Sequence, residues 1–235
     1  MSSVQELRAA AAGARREGMR AVADRPSQRR DRTGPGGGAW TPATRARIQL
    51  RDVAGPDGPL VFEGFASVTG QPYEMWDMFG PYTEEVHVGA FAETLAAGPD
   101  VPLVLAHDSM RRLARTGNAG SPLMLSEVTT GDVTGLAVTA PSLQRDNPHV
   151  AEIVPMLRSG LIDEMSFRFM ITSGRWNDAW DEYHIHAVDL DRGDVAIVGY
   201  GANPLTAGSG LRGAPDRGPS PAVLARRNAL LDSLL

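Results

Sequence analysis

The sequence predicts an α+β fold: a β-rich core of about 160 residues wrapped by a few helices, with a helical tail at each end. Three observations carry this. Short segments that alternate apolar with polar residues recur through the middle of the chain, separated by Gly-, Pro-, Asn- and Asp-containing turns. Only a few segments there have helical spacing. Gly/Pro-rich stretches flank the middle on both sides. Many short strands of this kind suit a barrel or a sandwich, not an alternating βαβ sheet. The expected division is 1–42 as a helical, basic tail with a Gly-rich linker, 43–205 as the folded domain, and 206–235 as a linker with a terminal amphipathic helix.

Composition narrows the function classes. A chain of 235 residues is long enough for a full core. A net charge of −5 gives no general affinity for nucleic acid. The absence of cysteine excludes disulfides and thiolate metal sites. No apolar run reaches membrane-spanning length, and the start of the chain has no apolar signal core, so neither a membrane partner nor secretion is expected.

The elements follow in order. Residues 4–22 have helical spacing, but their apolar face is mostly alanine, too thin to anchor a core. Arg25, Arg29, Arg30 and Arg32 lead into Gly34-Pro-Gly-Gly-Gly38, a composition that cannot pack. Residues 45–53 and 60–68 alternate around the turn 54–59 and predict a hairpin, with Gly64 marking a bend or bulge. Residues 75–82 read as loop or irregular strand, 83–88 as a short strand and 89–98 as a short helix stopped by Gly98. Residues 101–106 form a buried-type strand, and 123–128 and 135–140 a second hairpin. Residues 147–160 predict a helix capped by Asn147, with Pro148 in its first turn and Val150, Ile153, Val154 and Leu157 on its inner face. A strand bearing Ser166 follows within 160–172, then strands at 183–190 and 194–200, with polar turns at 175–181 and 191–193.

Chemistry concentrates late in the chain. Ser166 lies within Gly160-Leu-Ile-Asp-Glu-Met-Ser-Phe-Arg-Phe-Met-Ile-Thr172. A lone strand serine is ordinarily one polar residue on a strand face. It becomes a nucleophile only if a base, an orienting group and oxyanion donors converge on it. His107 ends an apolar strand, and an imidazole can take a serine proton and return it to a leaving group, which suits a general base. His184, His186, Asp189, Asp191 and Asp194 are candidates to orient it, and Asp194, opening an apolar strand, is the most economical buried carboxylate. The Asp191-Arg192-Gly193 turn offers backbone N–H groups and a positive charge to an oxyanion. His184 and His186 share a strand face, but no carboxylate or cysteine cluster in the sequence completes a ligand set, so neither metal nor cofactor is expected.

Five stretches, in order, carry a family resemblance: Phe62-Glu-Gly-Phe-Ala-Ser-Val68, Glu85-Val-His-Val-Gly-Ala-Phe-Ala-Glu-Thr-Leu95, Val101-Pro-Leu-Val-Leu-Ala-His-Asp108, Gly160-Leu-Ile-Asp-Glu-Met-Ser-Phe-Arg-Phe169, and Val188-Asp-Leu190 with Asp194-Val-Ala-Ile-Val198 and Ala202-Asn-Pro204. Together they resemble the HK97-type prohead maturation proteases of tailed phages, which are related in fold to the herpesvirus assembly proteases. The resemblance implies a serine endopeptidase on a small closed or partly open β-barrel. It implies His107 as general base and Ser166 as nucleophile. Asp194 is the implied third member, with His186 as the alternative, because the herpesvirus relatives use a second histidine. It implies as substrates the scaffold segment of the major capsid protein and the protease itself, cut inside the assembling prohead in the host cytoplasm. Homodimerisation follows only by analogy with the herpesvirus relatives. Two positions depart from the family pattern: Arg168 stands where glycine is usual, and Ala196 where serine is. Arg168 narrows the expected cleft or adds positive charge to it. A generic esterase is disfavoured because no Gly-x-Ser-x-Gly elbow is present.

Overall fold

The alternating segments become strands in two sheets, and one long strand organises the larger sheet. The computed structural model describes residues 4–19, 48–52, 58 and 60–199. In chain order the described elements are α1 (Val4–Gly18), β1 (Gln49–Asp52), β2 (Leu60–Thr69), β3 (Tyr73–Trp76), β4 (Pro81–Val86), α2 (Ala92–Ala96), β5 (Pro102–Leu105), β6 (Asp108–Arg115), β7 (Met124–Thr130), β8 (Val133–Leu143), α3 (Pro148–Ser159), β9 (Glu164–Trp176) and β10 (Glu182–Val198). The smaller sheet is antiparallel, in the order β1-β2-β8-β7. The larger has the order β3-β4-β10-β5-β6, with β9 on β10. The fold is α+β with a β-rich core, and its sheets are not fully closed.

β10 is held on both edges. One edge pairs in parallel with β4 through Glu182–Ile185 and with β5 through Val195–Ile197. The other pairs with β9 in an antiparallel ladder from Tyr183↔Trp176 to Val198↔Glu164, interrupted by register shifts. One core lies between the sheets, built from Leu60, Phe62, Leu103, Leu136, Met165, Ile185 and Val195 among others. Gly64 pairs with Val138 without a register break, so it is not the expected bulge. A Cβ there would lie 2.7 Å from Met165 Sδ and 3.0 Å from Ile48 Cγ1, so the position is glycine because Met165 of β9 and Ile48, just before β1, crowd onto it.

Both hairpins form as expected, as does α3. Asn147 Oδ1 accepts from the His149 N–H at 2.9 Å, and Gly160 closes the helix at φ 70°. One expectation is refined and one fails. Residues 75–82 contain the end of β3 and the start of β4, an antiparallel pair. The two strands expected at 183–190 and 194–200 are one, with 191–193 a bulge inside it. The polar Asp191-Arg192-Gly193 run has turn composition, but pairing on both sides carries the strand through it. The expected linkers and the terminal helix at 206–235 lie outside the described residues.

α1 is held chiefly by one buried arginine. Its apolar face is as thin as its alanines suggest, with only Ala11 and Ala12 buried among them. Arg15, in contrast, is fully buried. Its Nε and Nη2 donate to the two Asp77 carboxylate oxygens at 2.9 and 2.8 Å, and further N–H groups reach the carbonyls of Gly80, Pro81 and Trp180. The guanidinium also lies 5.0 Å from the Tyr82 ring centroid and 4.9 Å from that of Trp176. Arg8 adds an ion pair to Glu74.

Removing one partner of such a buried pair is costly because the other charge is left unsatisfied. Arg15→Ala is expected to release α1 and destabilise the protein by about 3 kcal/mol. Hydrogen exchange monitored by mass spectrometry should show lost protection in α1 and the β3–β4 turn, while β9 and β10 keep theirs.

Candidate active site

Three adjacent strands bring the candidate residues together. Ser166 on β9 pairs with Ala196 on β10, and Ala196 pairs with Val104 on β5. Residues paired across a ladder project to the same face, so Ser166, Ala196 and Val104 share one. Two residues along, Asp194 pairs with Arg168 on that face. Met165 and Phe167 project the other way: Met165 lies in the main core, and Phe167 packs on Phe91 and stacks on Phe169. The Met-Ser-Phe alternation thus anchors β9 from behind and leaves Ser166 on the site face. Val104, Ala196 and Val198 form a small buried apolar cluster of their own there.

His107 arrives by a strained turn. β5 ends at Leu105, which pairs with Asp108 of β6, so the connection is only Ala106 and His107. Both have positive φ, 51° and 58°, as a two-residue hairpin turn of the I′ kind requires. Glycine and asparagine usually fill such positions, and a side chain there costs about 1 kcal/mol or more per residue. The turn is tied to β10 by the Ala106 N–H, which donates to the Ile197 carbonyl at 2.9 Å.

His107 Nδ1 lies 2.5 Å from Asp194 Oδ1. A carboxylate can only accept, so Nδ1 carries the proton and donates it. In the neutral ring this leaves Nε2 with its lone pair, the tautomer a general base needs. Asp194 is buried and His107 partly exposed. The second oxygen of Asp194 faces the Arg168 guanidinium at 3.5 Å, so the side chain that replaces the family's usual glycine lies against the carboxylate. Among the described residues the Ser166 hydroxyl has no hydrogen bond of its own.

The other candidates are Arg192 and Gly193, next to Asp194 in the chain, and His186, further along β10. Arg192 is in the left-handed region at φ 58°, and its backbone N–H donates to the Asp100 carbonyl at 3.0 Å. The amide expected to serve an oxyanion is thus engaged by Asp100 in this structure. Gly193 presses on β9 so closely that a Cβ would lie 2.0 Å from the Arg168 carbonyl oxygen. Its glycine is needed for strand packing. His186 lies near the other end of β10 against His87, with ring centroids 4.4 Å apart. Partial burial holds its ring below the usual imidazole range, as do the neighbouring His87, His184 and Arg175, with Glu85 opposing them. Sequence reasoning did not find the strained Ala106–His107 turn or the approach of His87 to the later histidines. The first carries no glycine or asparagine to mark it, and the second depends on which strands are neighbours.

Residues 46–211 match the family described as caudovirus prohead serine protease. The chain belongs to this family. At the level of the family it is a serine protease of phage capsid maturation, associated with the assembling prohead. No curated protein and no solved structure matches the chain. No helix among the described residues is long and apolar enough to cross a membrane.

The strained turn yields a test of how His107 is presented. Ala106→Gly removes the Cβ penalty at positive φ and is expected to stabilise the protein by up to about 1 kcal/mol. Chemical denaturation should show a higher midpoint with an unchanged slope.

Proposed function

We propose that the chain is an active serine endopeptidase, with Ser166 as nucleophile, His107 as general base and Asp194 as the group that orients it. The observation that carries this reading is the 2.5 Å His107–Asp194 contact, made on the face that also bears Ser166. In the proposed reaction His107 Nε2 takes the hydroxyl proton as Ser166 Oγ attacks the peptide carbonyl. The resulting imidazolium is stabilised by Asp194 and protonates the leaving amine, and water then releases the acyl-enzyme. In this reading the Ser166 hydroxyl comes within hydrogen-bonding reach of Nε2 when substrate binds. Such contacts are commonly loose before substrate arrives.

The proposed substrates are the scaffold segment of the major capsid protein and the chain itself, cut within the prohead. Gly/Pro-rich segments of the kind at 34–38 suit self-cleavage because an extended backbone must enter a protease cleft. In this reading Arg168 tempers the charge of Asp194 and borders the cleft; it does not take part in proton transfer. Its side chain is 60 % exposed, so its contribution is screened by solvent.

Co-expression with the capsid protein tests the assignment. Wild type should trim the capsid protein, and Ser166→Ala and His107→Ala should abolish trimming. Asp194→Asn should slow it by about three to four orders of magnitude, because the amide no longer fixes the imidazole tautomer. Arg168→Gly, which restores the family's usual residue, should change the rate by less than about tenfold. Cleavage that persists in Ser166→Ala would sink the assignment. An intact capsid protein with wild type under assembly conditions would favour a non-enzymatic assembly module that keeps the protease fold.

A further inference from the structure

A second group of side chains gathers where β4 meets the start of β10, far along the strand from Asp194. Glu85 of β4 pairs in parallel with His184 of β10. His87 continues the line of β4, its N–H donating to the Ile185 carbonyl at 2.9 Å. Paired residues in a ladder share a face, as do residues two apart on one strand. Glu85 and His87 therefore stand beside His184 and His186. His87 Nε2 lies 3.0 Å from His184 Nδ1 and 3.8 Å from Glu85 Oε1. The donor atoms of Glu85, His87 and His184 all fall within 4.8 Å of one another.

Two features distinguish this group from an ordinary surface cluster. Its donors stand on or directly beside paired strands, so their spacing is set by the sheet and not by loop conformation. It also gathers three imidazoles around one carboxylate, and neutral imidazole nitrogen is the ligand that borderline divalent transition metals prefer when no thiolate is available. Zinc binds imidazole nitrogen at about 2.0–2.1 Å, which in a tetrahedral site sets two nitrogens about 3.3 Å apart. The observed 3.0 Å between His87 and His184 needs only a small outward shift to reach that. Arg175, paired with His184 from β9, is the adverse neighbour, and Glu85 supplies the negative charge that offsets it.

We propose that Glu85, His87 and His184 bind one zinc-class divalent cation, tying β4 to β10, with a water in the fourth position beside His186. The metal is structural: the site lies about ten residues along β10 from Asp194, roughly 30 Å of strand, and takes no part in the proposed acyl transfer.

Cobalt(II) titrated into the chelator-treated full chain tests this, read by visible absorption and by histidine NMR. One equivalent should bind with tetrahedral d–d bands and perturb the ring resonances of His87 and His184. The His87→Ala/His184→Ala double variant should weaken cobalt binding by at least about tenfold. His107→Ala should bind as wild type does, which separates this site from the candidate active site. Zinc should raise the Tm of wild type but not of the double variant. No cobalt binding by wild type, equal binding by the double variant, or loss of binding in His107→Ala would each overturn the proposal. If the double variant does not fold, Glu85→Gln and His87→Gln, titrated separately, decide the same question.

Discussion

The structure depends on β10 being paired along both edges. That single strand reaches from the ring of histidines near β4 to the buried carboxylate beside β5. A strand with both edges satisfied has little freedom to slip, because a shift of one residue would send every side chain to the opposite face. Ser166, Asp194 and the His107 turn are all referenced to it: Ser166 through Ala196, Asp194 as part of it, and the turn through the Ala106–Ile197 hydrogen bond. The geometry of the candidate site is therefore a consequence of sheet register.

Around that frame the chain accepts local costs at the candidate site. Ala106 and His107 both sit at positive φ without glycine, and Asp194 is a buried carboxylate with an imidazole on one oxygen and an arginine near the other. Strain and buried charge of this kind persist only when the surroundings over-determine them. The same logic applies at the far end, where Arg15 joins α1 to the β3–β4 turn and the approach to β10 through carbonyls, a carboxylate and two aromatic faces. A helix with an alanine face holds its place there chiefly through one fully satisfied cation.

Much of this fold is legible in the sequence. Alternation gave the hairpins, and Asn147 with Gly160 marked both ends of α3, because those signals are local. The ordered motifs pointed to His107, Ser166 and Asp194. What could not be read depends on neighbours. The Asp191-Arg192-Gly193 run looks like a turn until pairing on both sides carries β10 through it. Gly64 looks like a bulge until Met165 is seen against it. His184 and His186 looked like an incomplete ligand pair because Glu85 and His87 lie about a hundred residues earlier and approach them only through the parallel β4–β10 ladder. The place of Arg168 was likewise hidden, since nothing in the sequence says that its partner across the ladder is Asp194.

The most direct measurement of the central claim is covalent trapping. A fluorophosphonate probe should be applied to the protease in assembling proheads, followed by peptide mass spectrometry. A single adduct on the Ser166 peptide, lost in His107→Ala and strongly reduced in Asp194→Asn, is the predicted result. An adduct on a different serine, or labelling of Ser166 that is indifferent to His107, would contradict the account.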